Sequence, residues 1–168
     1  MEQETLIDFT LIYNRFKKPL FNYLIKILKS EMLAEDIAHN VFIKLYSNLA
    51  GIRKADRVEI WIFTTARNEA FGHFRKMKNI KEEEFSTCEI QISTDCCFDE
   101  YERNELISII ERELEKMEPA QSEVYYLKEY SGLRYKEISQ IMNISEELVK
   151  SRLFKVRQKL KTVLTKLV

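Results

Sequence analysis

Residues 132–161 read GLRYKEISQIMNISEELVKSRLFKVRQKLK, and this stretch decides the fold class. It contains two helical patterns with a turn between them. In the first, Ile138 and Ile141 point inward, and Ser139 is small enough for two helices to cross closely. Asn143 tolerates the left-handed conformation that ends a helix, and Ser145 is a strong N-cap for the next one. In the second helix Val149, Leu153, Val156, Leu160 and Leu164 recur every three or four residues, an inward stripe. Lys150, Ser151, Phe154, Lys155, Arg157 and Lys161 are left outward, a basic surface that suits the major groove of duplex DNA. The pattern predicts a helix-turn-helix. A helical hairpin with merely solvated cations is the plainer alternative.

Upstream of this motif, Leu106, Ile110, Leu114 and Met117 form another helical stripe, and Pro119 stands at a favoured first position of a helix that ends just before Gly132. Before them lies EEEFSTCEIQISTDCCFDEYE (82–102), acidic, Ser/Thr-bearing and without helical periodicity. It reads as a linker, with a short strand over 89–93 as an alternative. The division of charge agrees. The formal net charge is zero, yet residues 1–81 carry 14 Lys/Arg against 9 Asp/Glu, and residues 106–168 carry 12 against 9. Residues 82–105 carry 9 acids against Arg103 alone. Two basic modules joined by an acidic tether suit a polyanionic partner, with charge runs that are only solvated faces as the plainer alternative.

The first module reads as three or four helices. Leu20, Tyr23, Leu24, Ile27 and Leu28 make one apolar stripe, and Leu33, Ile37, Val41, Leu45 and Leu49 make a second, with Phe42 and Tyr46 beside it. Glu35 and Asp36 are placed in the first turn of that second helix, where the helix dipole favours acids. After a loop that begins at Gly51, a helix over 58–79 separates into two faces. Ile62, Ala66, Ala70, Phe74 and Met77 form its packing face. Trp61, Thr64, Asn68, Phe71, Arg75 and Lys78 form the other, with Arg67 alongside. Rings that stack on bases, cations for phosphates, and amides or hydroxyls for base edges are the mixture that single-stranded nucleic acid requires. A helix buried all round, with Trp61 and Phe71 in the core, is the competing reading.

With 3 Gly and 2 Pro in 168 residues there is little material for β-turns, so the expected class is all-α, two small helical domains joined by an acidic flexible linker. No cofactor is expected. Gly51, Gly72 and Gly132 are isolated and form no phosphate-cradling loop, while His39 and His73 have no ligand partner at metal spacing. Cys88, Cys96 and Cys97 lack a CxxC pair and read as reduced thiols. Adjacent Glu35 and Asp36 point to different helix faces, which places enzymatic acid–base work last. No apolar run approaches the ~18 residues of a membrane span, and a cytoplasmic location without direct membrane insertion is expected.

Three segments carry a resemblance. MLAEDIAHNVFIKLY (32–46) resembles the core-polymerase-binding segment of bacterial sigma factors. EIWIFTTARNEAFGHFRK (59–76) is similar to their promoter-melting, −10-reading helix, and GLRYKEISQIMNISEELVKSRLFKVRQKL (132–160) to their −35-reading helix-turn-helix. Their order and spacing resemble the extracytoplasmic-function subfamily of the sigma-70 family, which keeps only sigma regions 2 and 4. The resemblance implies region 2 over 1–81, a linker over 82–103 and region 4 over 104–168. It implies no catalysis, but promoter selection and duplex melting with core RNA polymerase, duplex DNA at −35, partly single-stranded DNA at −10, and an anti-sigma factor as partners. Ala34, Glu35, Asp36 and Phe42 match the docking stretch, and Trp61, Arg67, Asn68 and Arg75 match the −10 helix. Residues 51–59 match the loop that holds a flipped base, and Lys150, Ser151, Arg152, Phe154, Lys155 and Arg157 match the −35 reader. Gly72, where the family has an acid, and Glu147, where it has a small residue, depart from the pattern.

Two other classes compete. A LuxR-type regulator shares the GLxxxEIxxxxxIS–VK–R pattern, so the last helices alone do not decide; it would need no core-docking segment. A helical interaction protein that never meets DNA would not need the Lys150–Lys161 cations.

Overall fold

The computed structural model describes residues 2–52, 55–83 and 101–166, and among these the chain is helical, with no strand. It divides into two compact units, Met1–Ser93 and Thr94–Val168. Cys88, Cys96, Cys97 and the possible strand over 89–93 lie outside the described residues.

The N-terminal unit packs α1 (Glu2–Leu28), α2 (Glu31–Asn48) and α3 (Ala55–Glu83) pairwise against one another. The stripe from Leu20 to Leu28 is the last part of a longer helix, since α1 continues through Pro19. A proline inside a helix costs about 3 kcal/mol, because it offers no N–H and its ring crowds the preceding turn. Burial on both sides of it offsets that cost: Phe16, Leu20, Tyr23 and Leu24 are all buried, and a fully buried large apolar side chain is worth about 1.5–3 kcal/mol. Lys29 takes a left-handed φ of 55° and Ser30 caps α2, its hydroxyl accepting from the Leu33 N–H. Because α2 starts at Glu31, Glu35 and Asp36 fall in its second turn rather than its first. Helix α3 lays Ile62, Phe63, Ala66 and Ala70 into the core, where Phe63 meets Tyr23 edge-on at 5.9 Å. The small Ala66 and Ala70 let its backbone approach closely.

The C-terminal unit holds α4 (Tyr101–Glu115), α5 (Pro119–Tyr125), α6 (Tyr135–Met142) and α7 (Glu146–Leu164), with α7 packed on α4, α5 and α6. Leu114 and Met117 are buried as the stripe required, Ile110 is half-buried, and Leu106 is exposed. The Ser122 hydroxyl, buried, donates 2.6 Å to the Leu114 carbonyl and ties the end of α4 to α5. Helix α5 continues as a π-helical turn, Tyr126–Tyr130, and the chain then reverses at Gly132, whose φ of 70° suits a residue without a Cβ. Glu137 caps α6 by accepting from the Arg134 N–H at 2.7 Å. Between α6 and α7, Asn143 adopts φ 53° and the Ile144 N–H bonds the Ser139 carbonyl, the six-residue closure that ends a helix. Ser139 is not merely a small residue at a crossing: its hydroxyl donates to the Ile144 carbonyl at 2.7 Å and closes the turn. Ser145 then caps α7, accepting from Leu148 N–H.

Candidate nucleic-acid interface

In the C-terminal unit α7 sorts its residues as its periodicity demands. Val149, Leu153, Val156 and Leu160 are buried, Leu164 is half-buried, and Lys150, Ser151, Lys155 and Phe154 face out. Phe154 is 62% exposed, which is costly for an aromatic in water. Arg152 is half-buried. Arg157 is exposed but engaged: its guanidinium donates to Glu129 at 2.7 Å, across from α7 to the π-helical turn. The Glu129 carboxylate, with a smaller contribution from the Tyr135 hydroxyl, holds this guanidinium charged beyond its ordinary range.

In the N-terminal unit, α3 carries Trp61, Thr64, Arg67 and Phe71 half-buried and Asn68, Arg75 and Lys78 exposed, along one side of the helix. Trp61 and Phe71 are therefore not core residues of a helix buried all round. Arg67 lies over the Phe71 ring at 4.7 Å, an arrangement that orients both. Phe74, expected on the packing face, is 40% exposed and stands edge-on to Phe71 at 6.1 Å. No described residue of α3 beyond Ala70 is buried, so the helix outruns its cover and the inward stripe loses its partner. Within residues 51–59, positions 53 and 54 lie outside the described residues; Leu49–Gly51 is a 3-10 turn, and α3 already begins at Ala55.

On α2, Glu35 and Asp36 are exposed, but Ala34 and Phe42 are buried. Phe42 packs edge-on against Tyr13 of α1 at 4.8 Å and so seats the helix instead of presenting itself. The apolar residues that do reach solvent are Met32 at 74%, Ile43 at 52% and Tyr46 at 53%. Their spacing with Asp36 and His39, three or four residues at each step, was the available sign. Lys44 pairs with Glu69 at 2.7 Å and braces α2 on α3.

The chain matches the sigma-70 region 2 family model over residues 12–80 and the sigma-70 region 4 model over residues 107–160. It is 33% identical over 163 residues to the extracytoplasmic-function RNA polymerase sigma factor SigM of Bacillus subtilis (strain 168), covering 90% of this chain and 92% of the relative. The chain belongs to the sigma-70 family, in its extracytoplasmic-function group. The sigma factor YlaC of the same bacterium is 26% identical to it, over 92% of this chain and 91% of the relative. Two solved structures share its fold. The sigma factor RpoE from Bartonella quintana, co-crystallised with the anti-sigma factor NepR, gives a TM-score of 0.66 at 20% identity, covering 98% of this chain and 96% of that one. CnrH, in complex with the cytosolic domain of CnrY, gives 0.64 at 16%, covering 94% and 88%.

As a sigma factor, the protein binds core RNA polymerase and promoter DNA and acts in transcription initiation, without an enzymatic reaction of its own. The match over residues 12–80 decides against a LuxR-type regulator, which would share only the C-terminal helices. Among the described residues no helix is long and apolar enough to cross a membrane, and no cluster of His, Cys, Asp and Glu is arranged to hold a metal.

Proposed function

We propose that this sigma factor divides its task by face. Region 2 spans residues 1–81 and region 4 spans 104–168, with 82–103 as the tether. Helix α2 docks core polymerase through its exposed stripe, where Glu35 and Asp36 supply charge and Met32 and Ile43 supply apolar contact. Buried Ala34 and Phe42 set the position of that stripe from behind. Helix α3 meets the −10 element with Trp61, Thr64, Arg67, Asn68, Phe71, Arg75 and Lys78. Stacking a melted base on an aromatic is worth about 1–3 kcal/mol, enough to offset the unstacking of one step and hold the duplex open. Helix α7 reads the −35 element with Ser151, Arg152, Phe154 and Lys155, Lys150 lies beside them on the same exposed face, and Arg157 stands with Glu129.

The observation that carries this reading is α7 itself: a fully buried apolar stripe on one side and an unburied cationic and aromatic set on the other, presented by a three-residue turn. An anti-sigma factor is the further partner, supported by the Bartonella sigma factor's structure with one. A cytoplasmic location follows from the site of RNA polymerase.

Run-off transcription on a pooled promoter library, with core polymerase and with or without this protein, tests the assignment. Protein-dependent transcripts sharing two spaced upstream motifs are expected. On a promoter so recovered, Trp61→Ala is expected to weaken permanganate reactivity of the melted strand more than it weakens initial binding. Equal reactivity in both proteins would remove Trp61 from the melting role.

A further inference from the structure

In the C-terminal unit, two elements bring positive charge to a ring carried by a third. Lys128, in the π-helical turn, places its ammonium 5.1 Å from the centre of Tyr135, the first residue of α6. Lys150, on α7, places its own 5.9 Å from the same centre. The Lys128 ammonium is fixed further by donating to the Leu133 carbonyl at 3.0 Å. Among the described residues no carboxylate pairs with either lysine. Of the acids nearby in the chain, Glu129 is held by Arg157 and Glu137 by the backbone and side chain of Arg134, while Glu146 and Glu147, one turn before Lys150 on α7, form no ion pair with it. A ring face attracts ammonium groups but does not neutralise them. Two like charges held at one ring therefore repel each other unless an anion joins them.

We infer that Lys128, Tyr135 and Lys150 form a seat for one backbone phosphate of the −35 duplex, which sets the register of α7 in the groove. The inference rests on α7 being the duplex reader. It adds Lys128 and Tyr135, which the basic face of α7 does not include, and it reassigns Lys150 from base recognition to the backbone. The site lies where the first helix of a helix-turn-helix crosses the sugar–phosphate chain, and lysine and tyrosine are ordinary donors to phosphate oxygens. The anion is committed to DNA phosphate because the same surface continues into Ser151, Phe154 and Lys155.

The test uses holoenzyme on a duplex carrying the recovered upstream element, titrated between 50 and 200 mM salt. Each phosphate neutralised contributes about 0.9 to the slope of log affinity against log salt, or roughly 3.5-fold over that range. Lys150→Gln, at an exposed position that leaves folding intact, and Lys128→Gln are each expected to flatten the slope by up to about 0.9. Lys128→Arg restores it, and discrimination between intact and scrambled elements stays at its wild-type ratio throughout. A neutral methylphosphonate linkage, scanned along the element, is expected to weaken the wild type at one position where it no longer affects either Gln variant. Unchanged slopes, or a lost discrimination ratio in Lys150→Gln, would overturn the seat while leaving α7 as the reader. Failure of the wild-type protein to discriminate would overturn the reading of α7 and the seat with it.

Discussion

Glu129 engages the Arg157 guanidinium of α7, and Glu129→Gln should release it. The two side chains are about half exposed, at 50% and 39%, so their 2.7 Å contact contributes only about 0.2–1 kcal/mol to stability. The variant is therefore expected to fold, with its urea midpoint lowered slightly. Its effect on DNA should have the opposite sign. A freed guanidinium that reaches one further phosphate steepens the salt slope by about 0.9, which tightens binding by up to roughly eightfold at 0.1 M salt. Because phosphate contacts carry no base information, the gain should be equal on intact and scrambled upstream elements. Fluorescence anisotropy of holoenzyme on the two labelled duplexes, repeated across a salt series, reads both quantities. Unchanged or weaker binding by Glu129→Gln would refute the idea that the pair restrains Arg157. A rise on the intact element alone would show Arg157 to be a base reader.

Three further outcomes follow from the packing. Gly72 lies within α3, and a Cβ built there meets only the end of the Arg75 side chain at 3.9 Å, so Gly72→Ala should stabilise the N-terminal unit by about 1 kcal/mol, seen as a rise of several degrees in its thermal midpoint. A fall in midpoint would mean that the helix needs glycine there. Ser122→Ala removes one of the two hydrogen bonds to the Leu114 carbonyl, which keeps its bond from the Met117 N–H, and should cost about 0.5–1.5 kcal/mol in urea unfolding, with an unchanged midpoint showing that the hydroxyl contributes nothing net. Burial, aided by neighbouring Tyr130, pushes the Tyr126 hydroxyl from 10 up to about 12. The folded state thus keeps a proton that the unfolded chain releases first, so stability is intact below pH 10 and declines as pH rises towards 12. Tyr126→Phe should decline less over that interval, and an identical decline would assign the effect to other groups.

Most of the fold was legible because its signals are local. Asn143, Ser145 and the stripe from Val149 to Leu160 describe a turn, a cap and an inward face within some twenty residues, and each takes the predicted place. The first helix was harder to see. Phe9, Ile12 and Phe16 continue the stripe of Leu20 and Tyr23 upstream, but Pro19 stands between them as a stop signal, and only burial against α2 and α3 overrides it. Phe74 was misplaced for the reverse reason: periodicity marks which side faces inward, not how far along the helix a partner extends.

The sequence by itself determined the helical class, the two basic modules about an acidic segment, the helix-turn-helix and the family, since periodicity, caps and motif order are written in neighbouring residues. Tertiary structure alone decided which members of those motifs are free to touch anything. Ala34 and Phe42 lie beneath the surface their segment presents, Arg157 is held by a glutamate 28 positions away, and Lys128 and Lys150 each approach the same tyrosine ring. Burial and pairing depend on what the chain brings back from a distance, and no local pattern records that.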